Sequence, residues 1–384
     1  MIPLSVPNLK GNELKYVSNC IKTEWISSSG KYVSTFEKKI SSYLGSKFAI
    51  ACINGTSALQ VSLRILGVSP GDEVIVPTIT FVSPINSVIY NNAVPIFMDV
   101  DNFYNMDVKK TIEFINKETI YKKKFTYNKK TGKKISAIIP VHVWGNAVNI
   151  EKLLLLCKKR NISIVEDAAQ SFGTKYTKGI LKNKYTGTIG KIGCLSFNGN
   201  KILTAGGGGM ILTNNKKLAK KARYLVNQAK DDNFKYIHKD IGYNFKLTNI
   251  HAAIGLAQLE RINNLIKKKE MIHNFYKNAF SSKKGFNIST TPDYAKNNKW
   301  LNILKLDLKI LKKGALYKTI KKLKKKNIET RPVWHLNHLQ KQFKSFQKYK
   351  IVNAQKLVKE SLCLPSSTNL KKKELIKITK TING

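Results

Sequence analysis

An aspartate and a lysine 34 residues apart are the residues of this 384-residue chain whose setting points most directly to chemistry. Asp167 follows Glu166 at the end of the apolar run Ile162-Ser163-Ile164-Val165. Lys201 follows a second run, Ile192 to Phe197, through Asn198-Gly199-Asn200. Such runs read as buried parallel strands that deliver their last residues to the carboxyl edge of a sheet, where ligands of open α/β sheets bind. Gln170 and Ser196 flank the pair, and a glycine string, Gly206 to Gly209, lies just beyond. A carboxylate at a buried strand end holds a proton on a cationic partner by charge pairing. A lysine amine links covalently to carbonyl carbons and, once free, moves protons.

One cofactor needs both groups. Pyridoxal phosphate draws electrons from a bound substrate only while its ring nitrogen stays protonated. Asp167 would hold that proton. Lys201 would carry the cofactor covalently and then act as the base. Ser196, five residues before Lys201, would offer its hydroxyl to the phosphate, and Gln170 would hydrogen-bond the phenolic oxygen. Upstream, the run 48–53 ends in Asn54-Gly55-Thr56-Ser57, directly before a helical pattern. Gly55, Thr56 and Ser57 then form a phosphate cradle of free N–H groups at the positive end of a helix dipole; the same residues also make a plain helix cap.

Glu166-Asp167-Ala168-Ala169-Gln170, Ser196-Phe197 with Lys201, and Gly206 to Met210 together resemble the DegT-type nucleotide-sugar aminotransferases. The likeness runs from Ile2-Pro3-Leu4 to Thr330-Arg331-Pro332. It implies the type I (aspartate aminotransferase) fold, an α/β architecture. A large doubly wound domain with a mixed central sheet would cover 1–249, and a smaller C-terminal α/β domain 250–384. Members with His at the lysine position are dehydratases, so Lys201 implies a transaminase. The resemblance also implies glutamate as amino donor and a nucleotide-linked 4-keto-6-deoxy sugar as acceptor, in surface polysaccharide or nonulosonic acid biosynthesis. The wording of Trp25 to Gly30, Pro140-Val141-His142 and Phe197 to Lys201 is most like the legionaminic acid branch, and the perosamine branch shares much of it. Uridine and guanosine both stay open as the base. By the same resemblance Phe81 stacks on the cofactor face, although an ordinary core Phe has the same pattern. Asn244 of Gly242-Tyr243-Asn244 reaches the cofactor phosphate of a partner in a homodimer. Trp25, Ser28, His142, Arg331 and His335 are candidate substrate contacts, although the Trp25 to Gly30 loop also reads as a plain helix connection and a lone His at a strand end, like His142, is more often structural.

The elements that must position these residues alternate as in a doubly wound sheet. Strands are expected at 48–53, 74–77, 94–100, 135–143, 162–167, 192–197 and 211–213, with helices between them. Helical spacing also fills 8–24 and 32–44. Residues 121–135 read as an inserted basic hairpin turning at Asn128-Lys129-Lys130-Thr131-Gly132. Residues 228–247 lack periodicity and read as a long functional loop. Thr248-Asn249 caps a long helix over 250–280, followed by strands at 300–308 and 328–333 around a lysine-rich helix at 313–326.

Composition narrows the function classes. The formal charge is +45, yet only five of the 68 basic residues are arginine, and asparagine and isoleucine are also abundant. That is the signature of an AT-rich genome. The lysines are spread along the chain, and no helix-turn-helix or aromatic-basic motif accompanies them, so the nucleic-acid reading is set aside in favour of codon bias, with a modest benefit for attracting anionic nucleotide sugars. A catalytically idle regulatory homologue would have lost Lys201 or Asp167, and both are present. The five cysteines are scattered with no C-x-x-C pair, which fits a reducing cytoplasm and gives no metal site. A desulfurase needs a mobile cysteine, and the one candidate, Cys363, sits in the buried-looking Leu362-Cys363-Leu364. There is no run of 18 apolar residues and no signal-peptide pattern at the N-terminus, so a cytoplasmic location away from membranes is expected. A filter-binding titration at physiological salt is expected to show only weak, sequence-blind DNA binding, weaker than ~10⁻⁶ M. Selective nanomolar binding would mean that the charge has a nucleic-acid role.

Overall fold

A computed structural model describes every residue except 233, 312, 313 and 384. Short apolar runs rich in Ile, Val and Phe become the strands Phe48–Cys52 (β1), Glu73–Pro77 (β2), Val94–Met98 (β3), Ile135–Ile138 (β4), Ser163–Asp167 (β5), Ile192–Ser196 (β6) and Gly209–Thr213 (β7). Further along lie Phe286–Ile288 (β8), Asn302–Leu306 (β9), Arg331–Pro332 (β10), Lys348–Tyr349 (β11) and Ser361–Leu364 (β12). An eight-stranded sheet takes the order β1-β7-β6-β5-β4-β2-β3-β11. From β6 to β11 all neighbours are parallel, while β7 runs antiparallel to both β6 and β1. The sheet is therefore mixed, and its strands are almost wholly buried, as helices on both faces require.

A second sheet is antiparallel throughout, in the order β8-β9-β12-β10. It packs on its own core of Ile272, Tyr276, Phe280, Leu304, Leu362 and Ile378. The chain returns once from this region to the large sheet, where β11 pairs with β3. We keep the division at residue 250 as a proposal about domains.

Register places the site. Cys52 pairs with Gly209, Gly209 with Ser196, and Asp167 with Cys194. The carboxyl ends of β1, β5 and β6 thus lie along one edge, and the helix Gly55–Ile65 starts immediately after β1.

Several local expectations change. The inserted hairpin pairs Thr119–Lys122 with Phe125–Asn128, so its turn is Lys123-Lys124, not Asn128 to Gly132. Both turn residues have positive φ, 49° and 65°, the geometry of a tight two-residue hairpin. Asn128 to Gly132 makes a second turn, in which Asn128 and Thr131 bind the buried Glu73 carboxylate. The segment 228–247 is not structureless: Lys230–Asp232 pairs with Ile237–His238 as a short ribbon. Its side chains Phe234, Tyr236 and Ile241 are exposed. The long helix is two, Asn249–Glu260 and Ile262–Phe280, with a break at Arg261, and Thr248 caps the first through the His251 N–H. Lys313, the expected start of the lysine-rich helix, lies outside the described residues, and the helix observed is Ala315–Lys325. Among the described residues no helix is long and apolar enough to cross a membrane.

Candidate active site

The carboxyl edge of the large sheet opens into a cavity of about 640 Å³, of the size that takes a small molecule. One wall is the N-terminus of the helix Gly55–Ile65. Asn54 is its cap, and the Asn54 side chain accepts the Ser57 N–H at 2.8 Å. Ser57 is therefore a correction to the cradle: its amide is already used, and the residue does not line the cavity. Gly55 and Thr56 do line it, with the Thr56 hydroxyl bonded to Ser83 Oγ at 2.9 Å. Glycine is required on both sides of this turn. A Cβ on Gly55 would lie 2.9 Å from the Ser196 Cβ, and one on Gly209 would lie 2.4 Å from the Asn54 carbonyl.

The floor is the end of β5, where two consecutive carboxylates point to opposite faces. Glu166 accepts the N–H groups of Gly187, Ile189 and Gly190 and the Nε2–H of His142. The other His142 nitrogen, Nδ1, accepts the Val148 N–H at 3.1 Å, which fixes the tautomer. His142 is fully buried with both nitrogens occupied, so it does not reach the cavity as a substrate contact would. Asp167 faces the cavity instead and is 3 % exposed. Among the described residues one hydrogen bond reaches its carboxylate, from the Ala169 N–H to Oδ1 at 3.0 Å. Burial pushes its pKa above the ordinary carboxylate value, against the Ala169 N–H and the charge of Lys201.

Lys201 follows β6 in a turn closed by its own N–H to the Asn198 carbonyl at 2.9 Å. Its Nζ lies 4.1 Å from the ring centroid of Trp300. Desolvation draws the amine down to about 8, while Asp167 opposes that shift. Gln170 sits beside them with its Oε1 accepting the Trp144 N–H at 2.8 Å, which leaves the amide NH₂ end to donate into the cavity. Trp144 and Gly145 hold the left-handed conformations that this link needs, with φ of 51° and 90°. The Trp144 ring stacks on Trp334 at 5.1 Å, and Trp334 meets Phe81 edge-on at 6.4 Å. The Trp144 indole N–H is buried without a hydrogen-bond partner among the described residues.

The cavity thus brings together Gly55, Thr56, Phe81, Asp167, Gln170, Ser196, Lys201, Arg331 and His335. Trp25, Ser28 and Asn244 lie outside it within one chain; Trp25 is exposed, and its carbonyl is held by the buried Asn249 amide. Sequence reasoning passed over Trp300, Trp334 and Ser83 as site residues, although all three line the cavity. The tryptophans come from the second sheet's side of the chain, and no local pattern links them to Lys201. Cys363 also lines the cavity, but it is fixed on β12 and burial pushes its thiol up to about 12, so it is a poor nucleophile.

These residues fit pyridoxal phosphate. An under-bonded buried carboxylate asks for a cationic N–H, a helix start with open N–H groups and a Gly–Gly approach asks for a phosphate, and a lysine with lowered basicity asks for an aldehyde.

Residues 7–383 match the DegT/DnrJ/EryC1/StrS aminotransferase family. The GDP-perosamine synthase of Escherichia coli O157:H7 is 37% identical over 385 residues, covering 100% of this chain and 98% of that one. A crystal structure of a DegT DnrJ EryC1 StrS aminotransferase from Brucella abortus has a TM-score of 0.86 at 27% identity, with 97% and 94% of the two chains covered. Helicobacter pylori PseC, an aminotransferase of pseudoaminic acid biosynthesis, shares the fold with a TM-score of 0.87 at 24% identity over 99% and 98%. An Asp167→Asn protein is expected to keep some cofactor and to lose roughly two to four decades of turnover, since removing a buried charged partner costs about 3–5 kcal/mol. A near-normal rate in steady-state assays would remove Asp167 from this role.

Proposed function

We propose, from the premise that the chain belongs to the DegT/DnrJ/EryC1/StrS aminotransferase family and is a pyridoxal phosphate-dependent sugar aminotransferase, that it converts the ketone of a nucleotide-linked 4-keto-6-deoxy sugar into an amine. Glutamate is the proposed donor. The observation that carries this reading is Lys201 and Asp167 in one cavity whose other walls hold Arg331, His335 and three tryptophans. Those walls offer a cation for phosphate or carboxylate and aromatic faces for a sugar or base.

Bound pyridoxal phosphate supplies an electron sink and a site that takes an amino group from one partner and passes it to another. Asp167 would hold the proton on the ring nitrogen; among the described residues only the Ala169 N–H already occupies its carboxylate. Gln170, oriented by the Trp144 backbone N–H on its Oε1, would donate from its amide NH₂ to the phenolic oxygen. Gly55, Thr56 and Ser196 would hold the phosphate. The Lys201 amine, at about 8, is partly neutral near physiological pH, so with the cofactor bound it would serve as the base that moves a proton on and off substrate carbon. The aromatic lining limits water around that transfer.

The wording of Trp25 to Gly30 and Pro140 to His142 supports a legionaminic-type acceptor. A GDP-linked, perosamine-type acceptor is the second reading, favoured by the GDP-perosamine synthase at 37% identity over the whole chain. Uridine- and guanosine-linked 4-keto sugars with glutamate, assayed for amino sugar by mass spectrometry, discriminate the two. Borohydride reduction and peptide mapping run alongside, with the label expected on Lys201. Lys201 labelled but both sugars untouched would sink the acceptor; a label elsewhere would sink the site.

The same reading makes the active unit a homodimer with composite sites. Asn244 is exposed and outside its own cavity, beside a ribbon whose Phe234, Tyr236 and Ile241 lie bare to solvent. Two-fold symmetry would let each subunit lend Asn244 to the other's phosphate. Mixing Asn244→Ala with Lys201→Ala protein places both lesions in one site of a mixed dimer and leaves the other intact. Activity is expected to rise on subunit exchange. Demonstrated exchange without any gain, from two inactive parents, would show that the sites are not shared.

A further inference from the structure

Trp300 belongs to no motif that marks the site, yet it is 2 % exposed and touches the lysine directly. It lies two residues before β9, on the side of the second sheet. Three hydrogen bonds fix it. Its N–H donates to Asn298 Oδ1 at 2.9 Å, its carbonyl accepts Lys269 Nζ at 2.8 Å, and its indole N–H donates to the Asn200 carbonyl at 2.7 Å. Asn298 also donates to the carbonyls of Gln170 and Phe172, so the same clamp reaches the segment after Asp167.

Asn200 immediately precedes Lys201 in the turn that carries it. One ring therefore makes two separate contacts with one functional turn: its edge grips the backbone, and its face lies 4.1 Å from the side-chain nitrogen. A ring present only to fill the core would need neither.

We propose that Trp300 is a positioning residue for Lys201: its edge pins the Asn198–Lys201 turn, and its face holds the side-chain nitrogen, while it is protonated, inside the cavity. The inference rests on the reading of Lys201 as covalent carrier. A lysine that is released during amino-group exchange and must act again has four rotatable carbons through which to wander. An indole face is the preferred aromatic partner for an ammonium and restrains it without a second carboxylate. Asp167 from β5, Arg331 and His335 from the 331–335 segment, and Cys363 from β12 line the same cavity and stay unchanged in the test below.

The test follows the protonation of Lys201 in full-length protein stripped of cofactor. Acetic anhydride labelling across a pH series, read at the Lys201 peptide by mass spectrometry, gives a midpoint. In Trp300→Leu it is expected to fall by roughly half to one and a half pH units, because the charged form loses its partner. Trp300→Phe keeps a ring face and is expected to recover part of the shift. An identical midpoint in all three proteins overturns the proposal. A second measurement avoids altering Trp300 at all. Tryptophan emission of the unmodified protein is expected to step at the Lys201 midpoint, and that step is expected to vanish in Lys201→Ala; no step, or the same step in both, also overturns it. Borohydride labelling separates the failures. If Lys201 carries the label while the midpoint stays put, Trp300 alone is misassigned; if another lysine carries it, the reading of the site falls first.

Discussion

A carboxylate kept out of water with too few donors is the constraint on which the site depends. Burying an ionised group without partners is costly, and folded chains normally surround such a group. Adjacent residues in this strand show both outcomes. Glu166 is saturated by three backbone N–H groups and His142, and so anchors the 187–190 turn. Asp167, on the opposite face, keeps capacity for one more donor. The fold tolerates that deficit because the strand is locked on both sides, by β4 and by β6. A ligand with a cationic N–H completes what the protein leaves open.

The cavity is also a joint product of the two sheets. The large sheet supplies Asp167, Ser196, Lys201 and the helix start at Gly55, whereas Trp300, Arg331, Trp334, His335 and Cys363 come from the second sheet and its connections. Lys269 adds a tie at this seam. It is almost fully buried, and its ammonium donates to the carbonyls of Trp300 and Ser366, with no carboxylate partner among the described residues; desolvation lowers it to about 7.

What was legible in the sequence follows from this division. The Asp167 and Lys201 motifs sit at the ends of consecutive strands, so strand periodicity alone put them on one edge. The mixed sheet followed from the family resemblance, and the alternating elements agreed with it. Trp300 and Trp334 escaped because their proximity to Lys201 arises from docking of a remote segment, which leaves no local trace. His142 misled for the opposite reason: it stands at the correct edge, but its neighbours Glu166 and Val148 consume both nitrogens. The hairpin turn escaped because Lys123-Lys124 adopts positive φ without the Asn or Gly that signals it.

The depressed basicity of Lys201 solves a problem of chemoselectivity. An aldehyde condenses with neutral amines, and this chain offers it dozens of lysines on nearly every surface. Lowering one amine from 10.5 to about 8 raises its neutral fraction at pH 7 by roughly 300-fold over an ordinary lysine. Among the described residues two other lysines are lowered at least as far, but Lys269 is sealed against two carbonyls and Lys299 donates to Thr291, and neither faces the cavity that holds Asp167. With Lys201 as the proposed attachment point, the address of the cofactor would be written as much in proton affinity as in shape.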